Sequence, residues 1–253
     1  MRHRLWTVVA LGSSLAPTVA ASQALAKPAT QQVKSPDSTY NFGLRQLAIG
    51  AAGLMAISVI DPAIARDLHT GTSAAALQFD RQLDRFGDAT GTIPIIGGIA
   101  LTGLILRNHA VIHAAVRATE SVVLADLFVQ GGKFIVGRSR PYADPDLDGF
   151  DFHAFGPTSP SFPSGHSANA FALATSLSDA IGKRWATVGL YALATGTGWA
   201  RLSEQQHWLT DVLAGAVVGI GSAKFVSGKV HILGMRAPHF IIGQQSMGVG
   251  WAF

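Results

Sequence analysis

The chain has 253 residues, enough for one domain with a sizeable core, and 13% of them are charged against a typical ~25% in soluble domains. With 48% hydrophobic residues, this leaves a membrane protein or a bundle of unusually apolar helices. The net charge of +4 is scattered, with no basic run interleaved with aromatics, which argues against a nucleic-acid partner; the lack of cysteine excludes disulfides, thiolate metal sites and a cysteine nucleophile.

Arg2 and Arg4 precede an apolar run from Leu5 to Ala16, and small residues follow through Ala24-Leu25-Ala26. A basic start, a short apolar stretch and an A-x-A site predict a secretory signal peptide over residues 1–26, cleaved after Ala26; an uncleaved anchor is the alternative. Residues 27–42 form a polar segment rich in Pro, Gln, Ser and Thr. Six apolar segments are then predicted as helices: Leu44–Ile60, Ile93–Leu106, Ala110–Val136, Ser167–Ile181, Ala186–Trp199 and Leu209–Val226. Breakers separate them at Asp61-Pro62, Gly87-Asp88, Arg107-Asn108 and Gly182-Lys183-Arg184. Over Arg66–Phe86, Leu77, Phe79, Leu83 and Phe86 alternate with charges, which predicts one shorter amphipathic helix. The expected fold is all-α, a six-helix core bundle over residues 43–228. In the tail, residues 229–253, His239–Ile242 and Met247–Phe253 flank Gly243-Gln244-Gln245-Ser246 and predict a short β-hairpin.

A membrane-spanning helix needs about 20 mostly apolar residues. None of the six segments offers ~18 without a charge, and the third carries Arg117, Glu120 and Asp126. Length therefore predicts buried core helices. Gly97, Gly98, Gly215, Gly219 and Gly221 suit the close helix contacts of bilayers instead, and Arg107, Lys183 and Arg184 lie on the short loops a positive-inside topology would use. The expected location is the periplasmic side of the cell envelope, as a soluble or peripheral bundle, with an integral inner-membrane protein as the alternative.

Three clusters of residues border these helices. The first contains Lys133, Arg138, Arg140 and Pro141; the second is Pro163-Ser164-Gly165-His166; the third runs from Arg201 to His207 and Asp211. His207 and Asp211, four apart, share a helix face, so a carboxylate can fix the imidazole tautomer and leave the other nitrogen free to attack. Ser164 is placed to cap a helix whose first amides form an anion site, and Gly165 lets an anion approach the backbone. His166 would then lie beside a bound phosphate, where an imidazolium could protonate a departing alkoxide. Lys133 and Arg140 add a point charge and a planar bidentate donor; Arg138 fits dipole complementarity at a helix end better than a catalytic role. Each cluster alone is an ordinary cap, turn or surface pair. Together, at one end of one bundle, they are equipment for moving a phosphate to a histidine.

The clusters resemble the type 2 phosphatidic acid phosphatase superfamily, which includes bacterial class A acid phosphatases and vanadium haloperoxidases. Its pattern, K-x6-R-P, P-S-G-H and S-R-x5-H-x3-D, is matched at Lys133, Arg140, Pro141, Pro163, Ser164, Gly165, His166, Arg201, His207 and Asp211, with Ala200 in place of the last serine. The resemblance implies a phosphatase acting through a phosphohistidine on His207, oriented by Asp211, with His166 as the acid. Lys133, Arg140, Ser164, Gly165 and Arg201 would hold the phosphate, with no metal or other cofactor. The implied substrates are phosphate monoesters or diphosphates, of lipids rather than soluble esters given the apolar helices and the Asp211-Val212-Leu213-Ala214-Gly215 continuation, with a membrane surface or bilayer as partner. A soluble-substrate acid phosphatase and a vanadate-dependent haloperoxidase are the alternatives.

Asp144, Asp146, Asp148, Gly149 and Asp151 imitate the start of a calcium loop, but Phe155 stands where the bidentate Glu belongs, so a solvated loop is expected. His109 and His113 read as helix-surface residues without a third ligand. His153, Phe155 and Trp208 are expected at the border of the substrate pocket.

Overall fold

The computed structural model describes residues 8–9, 40–71, 73–144, 146, 148–155, 159–237, 239–242 and 247–250. The signal peptide and most of the polar segment lie outside the described residues, apart from strand β1 (Val8–Val9). Strand β2 (Tyr40–Phe42) leads into α1 (Leu44–Ile57), a 3-10 turn over Ser58–Ile60, α2 (Asp61–Gly71) and α3 (Ala74–Asp84). There follow α4 (Ala89–Ile105), α5 (His109–Val136), α6 (Gly165–Ile181), α7 (Arg184–Ser203) and α8 (Leu209–Val226). Strands β3 (Val230–Ile232), β4 (His239–Ile242) and β5 (Met247–Gly250) end the chain.

The all-helical expectation stands, and local chemistry explains the boundaries. Ser73, Asp88, Asn108 and Ser164 each accept a first-turn amide through the side chain, as N-caps do. The last turn of α5 is closed by Gly137 at φ 62°, a left-handed conformation that glycine adopts without strain. A Cβ there would also meet the His153 carbonyl oxygen at 2.2 Å.

Two boundaries differ from expectation. The single amphipathic helix over Arg66–Phe86 is two helices, because α2 ends at Gly71 and Ser73 caps α3. Asp61-Pro62 does not break the chain but begins α2, since a proline in a first helical turn removes no bonded amide. Leu44–Leu68 consequently forms 25 residues, long and apolar enough to cross a membrane; Leu209–Val226 also qualifies, and so does the pair Ala75–Asp84 with Ala89–Ile105, bent by 42°.

Helix α6 is the hub, packed against α5, α7 and α8, with Ala168, Ala170, Ala172, Leu173 and Ala174 fully buried. Small residues let it approach its neighbours closely. Helix α4 covers α5, and α3 packs on α7. The expectation that all the apolar helices are buried core fails. Helix α1 buries none of its residues, while Leu101 and Leu104 of α4, Val123 and Leu127 of α5, and Trp185 and Val188 of α7 face outward. A helix of a water-soluble bundle turns polar residues to that side.

Beyond the bundle, β2 pairs in parallel with β3, a contact the hydrophobic pattern did not announce. The predicted hairpin forms as β4 antiparallel to β5, with β1 along the other edge of β5.

Candidate active site

Lys133 lies in the last turn of α5, half-buried. After Gly137 the chain turns back along itself: the Ser139 amide donates to the Asp151 carbonyl (2.8 Å) and the His153 amide to the Gly137 carbonyl (2.7 Å). The acidic residues of this loop tie its turns. Asp144 is buried and accepts the amides of Asp146 (3.2 Å) and Gly149 (3.0 Å), so the expected solvated loop is in part an internally bonded one.

The three clusters are bonded to one another in a closed ring. From the first to the second, the Ser161 amide donates to the Arg138 carbonyl (2.7 Å) and its hydroxyl to the Ser139 carbonyl (3.0 Å). From the second to the third, the Ser164 amide donates to the Asp211 carbonyl (3.0 Å). From the third back to the first, Trp208 Nε1 donates to the Ser139 carbonyl (2.9 Å) and Arg140 donates to Gln206 Oε1 (2.6 Å). Segments up to 69 residues apart in sequence thus close one site.

Each predicted residue takes a definite place. Ser164 is fully buried as the N-cap of α6, its hydroxyl accepting from Ser167 Oγ at 3.0 Å. Gly165 opens the helix, and a Cβ there would make ordinary contact with Val129 at 3.5 Å. The carbonyl of Arg201 receives the amides of both Gln206 (3.0 Å) and His207 (3.2 Å), which folds the α7–α8 connection tightly and brings Arg201 and His207 to one place. Arg201 is held by Asp84 (2.7 Å) and by Glu204, and Arg140 also donates to the Ser159 carbonyl (3.1 Å). A cleft of about 560 Å³ opens beside Arg201, lined by Leu68, Leu77, Arg81, Asp84, Glu204 and Gln206 among others.

His207 is 3% exposed. Burial pushes its imidazole below the usual range, and Arg140 and Lys133 act in the same direction against the opposing pull of Asp211. Its Nδ1 is buried without a hydrogen-bond partner and stands 3.6 Å from Asp211 Oδ2, a little beyond hydrogen-bond reach. That oxygen accepts the Trp208 amide at 2.9 Å, so Asp211 also serves as the capping-box residue of α8. His166, in the first turn of α6, places Nε2 3.6 Å from Asp84 and 3.8 Å from Asp88. Burial, reinforced by Arg201 and His207, pushes it down to about 4, so the free site holds it neutral.

Sequence reasoning missed two participants and misplaced one. Arg138, read as a helix-end charge, is a buried bridge: it donates to Asp211 Oδ1 (3.0 Å), Thr210 Oγ1 (2.8 Å), Asp61 Oδ2 (2.8 Å) and the Gly149 carbonyl (2.9 Å). Asp61, read as part of a breaker, is 1% exposed and accepts the Thr210 amide at 3.0 Å. No spacing signal links Asp61 to the site, because tertiary contact alone creates the link. Trp208 does not border a pocket. It is 1% exposed, with the Arg138 guanidinium stacked 4.9 Å from its ring centre. His153 and Phe155 are exposed on the loop, His153 paired with Asp151 at 2.9 Å.

Comparison with known proteins gives one consistent neighbourhood. The sequence model of the PAP2 superfamily matches residues 114–233. The lipid A 1-phosphatase of Porphyromonas gingivalis is 30% identical over 179 residues, 69% of this chain but 35% of that protein, so the chain spans about a third of this relative's length. Two solved structures share the fold. One is the crystal structure of Aquifex aeolicus LpxE (23% identity, TM-score 0.52, covering 66% of this chain and 94% of that one). The other is the transmembrane PAP2 type phosphatidylglycerolphosphate phosphatase from Bacillus subtilis (21% identity, TM-score 0.55, covering 72% and 90%).

Proposed function

We propose that the chain is a phosphatase of the PAP2 superfamily, whose sequence model matches residues 114–233, and that it removes phosphate from a lipid monoester or diphosphate through a phosphohistidine on His207, without a metal. The observation that carries this reading is the closed ring of hydrogen bonds joining the three clusters, with His207 buried inside it.

The free nitrogen of His207 attacks phosphorus; a P–N bond forms as the bond to the leaving oxygen breaks. Lys133, Arg140, Arg201 and the first amides of α6 stabilise the charge on the three remaining oxygens, work that fixed donors do best where water is excluded. His166 gives a proton to the leaving alkoxide. Because the free site favours neutral His166, that proton is taken up together with the substrate, whose negative charge raises the imidazole's affinity for it. In the second half, neutral His166 accepts a proton from water as the water oxygen attacks phosphorus and His207 departs. Incoming phosphate competes with Asp84 and Glu204 for Arg201.

Lipid is the substrate class that fits the rest of the molecule. The outward apolar faces of α1, α4, α5 and α7, and the helices long enough to cross, support a bundle embedded in a bilayer with the clusters at one surface. We therefore take the integral alternative ahead of the soluble or peripheral bundle; export to the periplasmic side is likewise part of the proposal. The name of the Porphyromonas gingivalis relative makes a saccharolipid phosphate the first substrate to try.

The test is full-length protein in detergent, given a 32P-labelled lipid phosphate and quenched within one turnover. We expect label on the protein that is stable in base and lost in acid, and absent from His207→Ala, whose turnover falls at least ~10³-fold. Unchanged turnover in His207→Ala would remove the nucleophile. Hydrolysis confined to water-soluble esters would refute the lipid assignment.

A further inference from the structure

We propose that Asp61, acting through Arg138, sets the charge that Asp211 presents to His207, which makes Asp61 and Arg138 positioning residues for the phosphoryl transfer described above; the inference rests on that reading. Asp61 lies outside residues 114–233 and outside all three clusters.

The geometry is a buried row of alternating charge. The side chains of Asp61 and Asp211 are fully buried and that of Arg138 is 5% exposed. One guanidinium nitrogen meets Asp61 at 2.8 Å and the other meets Asp211 at 3.0 Å, while Nε is taken by the Gly149 carbonyl and the guanidinium lies against Trp208. Thr210 joins both ends: its hydroxyl accepts from Arg138 and donates to Asp61, and its amide donates to Asp61 Oδ1. Arg138 thus cannot turn away from either carboxylate.

Such a row is a poor way to gain stability, since desolvating three charges consumes most of what their attraction returns. Its charge has a clearer consequence. One positive and two negative groups leave a net negative charge beside an imidazole that Lys133 of α5, Arg140, His166 of α6 and Arg201 of α7 surround with cationic or titratable neighbours. When His207 carries a phosphoryl group its ring becomes cationic, and the negative row offsets that charge while the surrounding cations hold the phosphoryl oxygens. With Asp61 neutral, Arg138 would cancel Asp211 and His207 would face only cations. Asp61 also fastens α2 to the site, so the long N-terminal helix, which buries little of its own surface, contributes a charge to catalysis.

The experiment uses full-length protein in detergent with isotope-labelled histidine, His207 being assigned from the signal lost in His207→Gln. Asp61→Asn keeps the shape and the acceptor for the Thr210 amide but removes the charge. We expect the His207 titration midpoint to fall by on the order of one pH unit, the effect of one buried charge at an effective dielectric near ~20. The acid limb of kcat/KM should move with it, and kcat should fall ~10-fold or more while KM changes less than ~3-fold. Asp61→Asn combined with Arg138→Gln leaves Asp211 alone and should return the midpoint to the wild-type value, which a purely structural tie would not do. Asp61→Ser serves if Asp61→Asn does not fold. A midpoint that stays put in a folded variant, or one that the double variant fails to restore, would overturn the proposal. Absence of phosphatase activity in the wild type would instead refute the underlying function, and the titration would still decide the charge relay.

Discussion

Helices α6 and α8 carry the second and third clusters, and they touch through glycine. An added Cβ at Gly215 would lie 2.4 Å from the Ser164 carbonyl oxygen and 3.1 Å from Ser167 Cβ, where ordinary contact begins near 3.4 Å. In Gly215→Ala the backbones must therefore part by about 1 Å at that point. The neighbour that would have to yield is backbone, not a flexible side-chain tip. Ser164 is also the residue whose amide bonds to the Asp211 carbonyl at 3.0 Å, so the strain falls on the joint between the α6 anion site and the His207–Asp211 pair. Overpacking of this kind costs about 1–3 kcal/mol, and a displacement near 1 Å within a catalytic constellation costs roughly 100-fold in rate. Gly221, on the same helix, has nothing within 4 Å of the corresponding Cβ. Gly221→Ala should leave turnover unchanged and stabilise α8 by up to ~1 kcal/mol. Phosphate release from a detergent-dispersed lipid phosphate and thermal unfolding followed by circular dichroism measure both effects. Wild-type turnover in Gly215→Ala, or equal damage in Gly221→Ala, would refute the idea that the α6–α8 approach sets the site.

Burial lowers the proton affinity of His207, and in the proposed mechanism its neutral ring attacks, so the acid limb of kcat/KM should lie below the usual imidazole range; a limb at or above that range would show that His207 is more solvated or more strongly paired with Asp211 than here. Trp208→Phe removes the indole bond to the Ser139 carbonyl and thins the stack on Arg138, but leaves that carbonyl the Ser161 hydroxyl. We expect a stability loss of about 1–3 kcal/mol with KM little changed, read from thermal unfolding and steady-state kinetics, since the indole does not face substrate.

The helices were legible because apolar runs, caps and breakers act over one or two turns. Leu209–Val226 was read to the residue, and the caps at Asp88, Asn108 and Ser164 account for the starts of α4, α5 and α6. The failures share a cause. Asp61-Pro62 reads equally well as a stop or as the first turn of a new helix, and only the chain that follows decides. The outward faces of α4, α5 and α7 were misjudged because uninterrupted length is a poor measure of what a helix touches: a charge such as Arg117 can lie on one face of α5 while Val123 lies about 120° round it on another.

Motif spacing by itself picked out the candidate residues, since His207 with Asp211 and Ser164 with the α6 amides are related by helix geometry within a single turn. Only tertiary structure decided that these groups converge, that Trp208 is a brace, and that Asp61 and Arg138 stand behind Asp211. The physical reason is range: backbone periodicity and capping act within about four residues, whereas a buried carboxylate takes its partner from wherever in the chain packing delivers a cation.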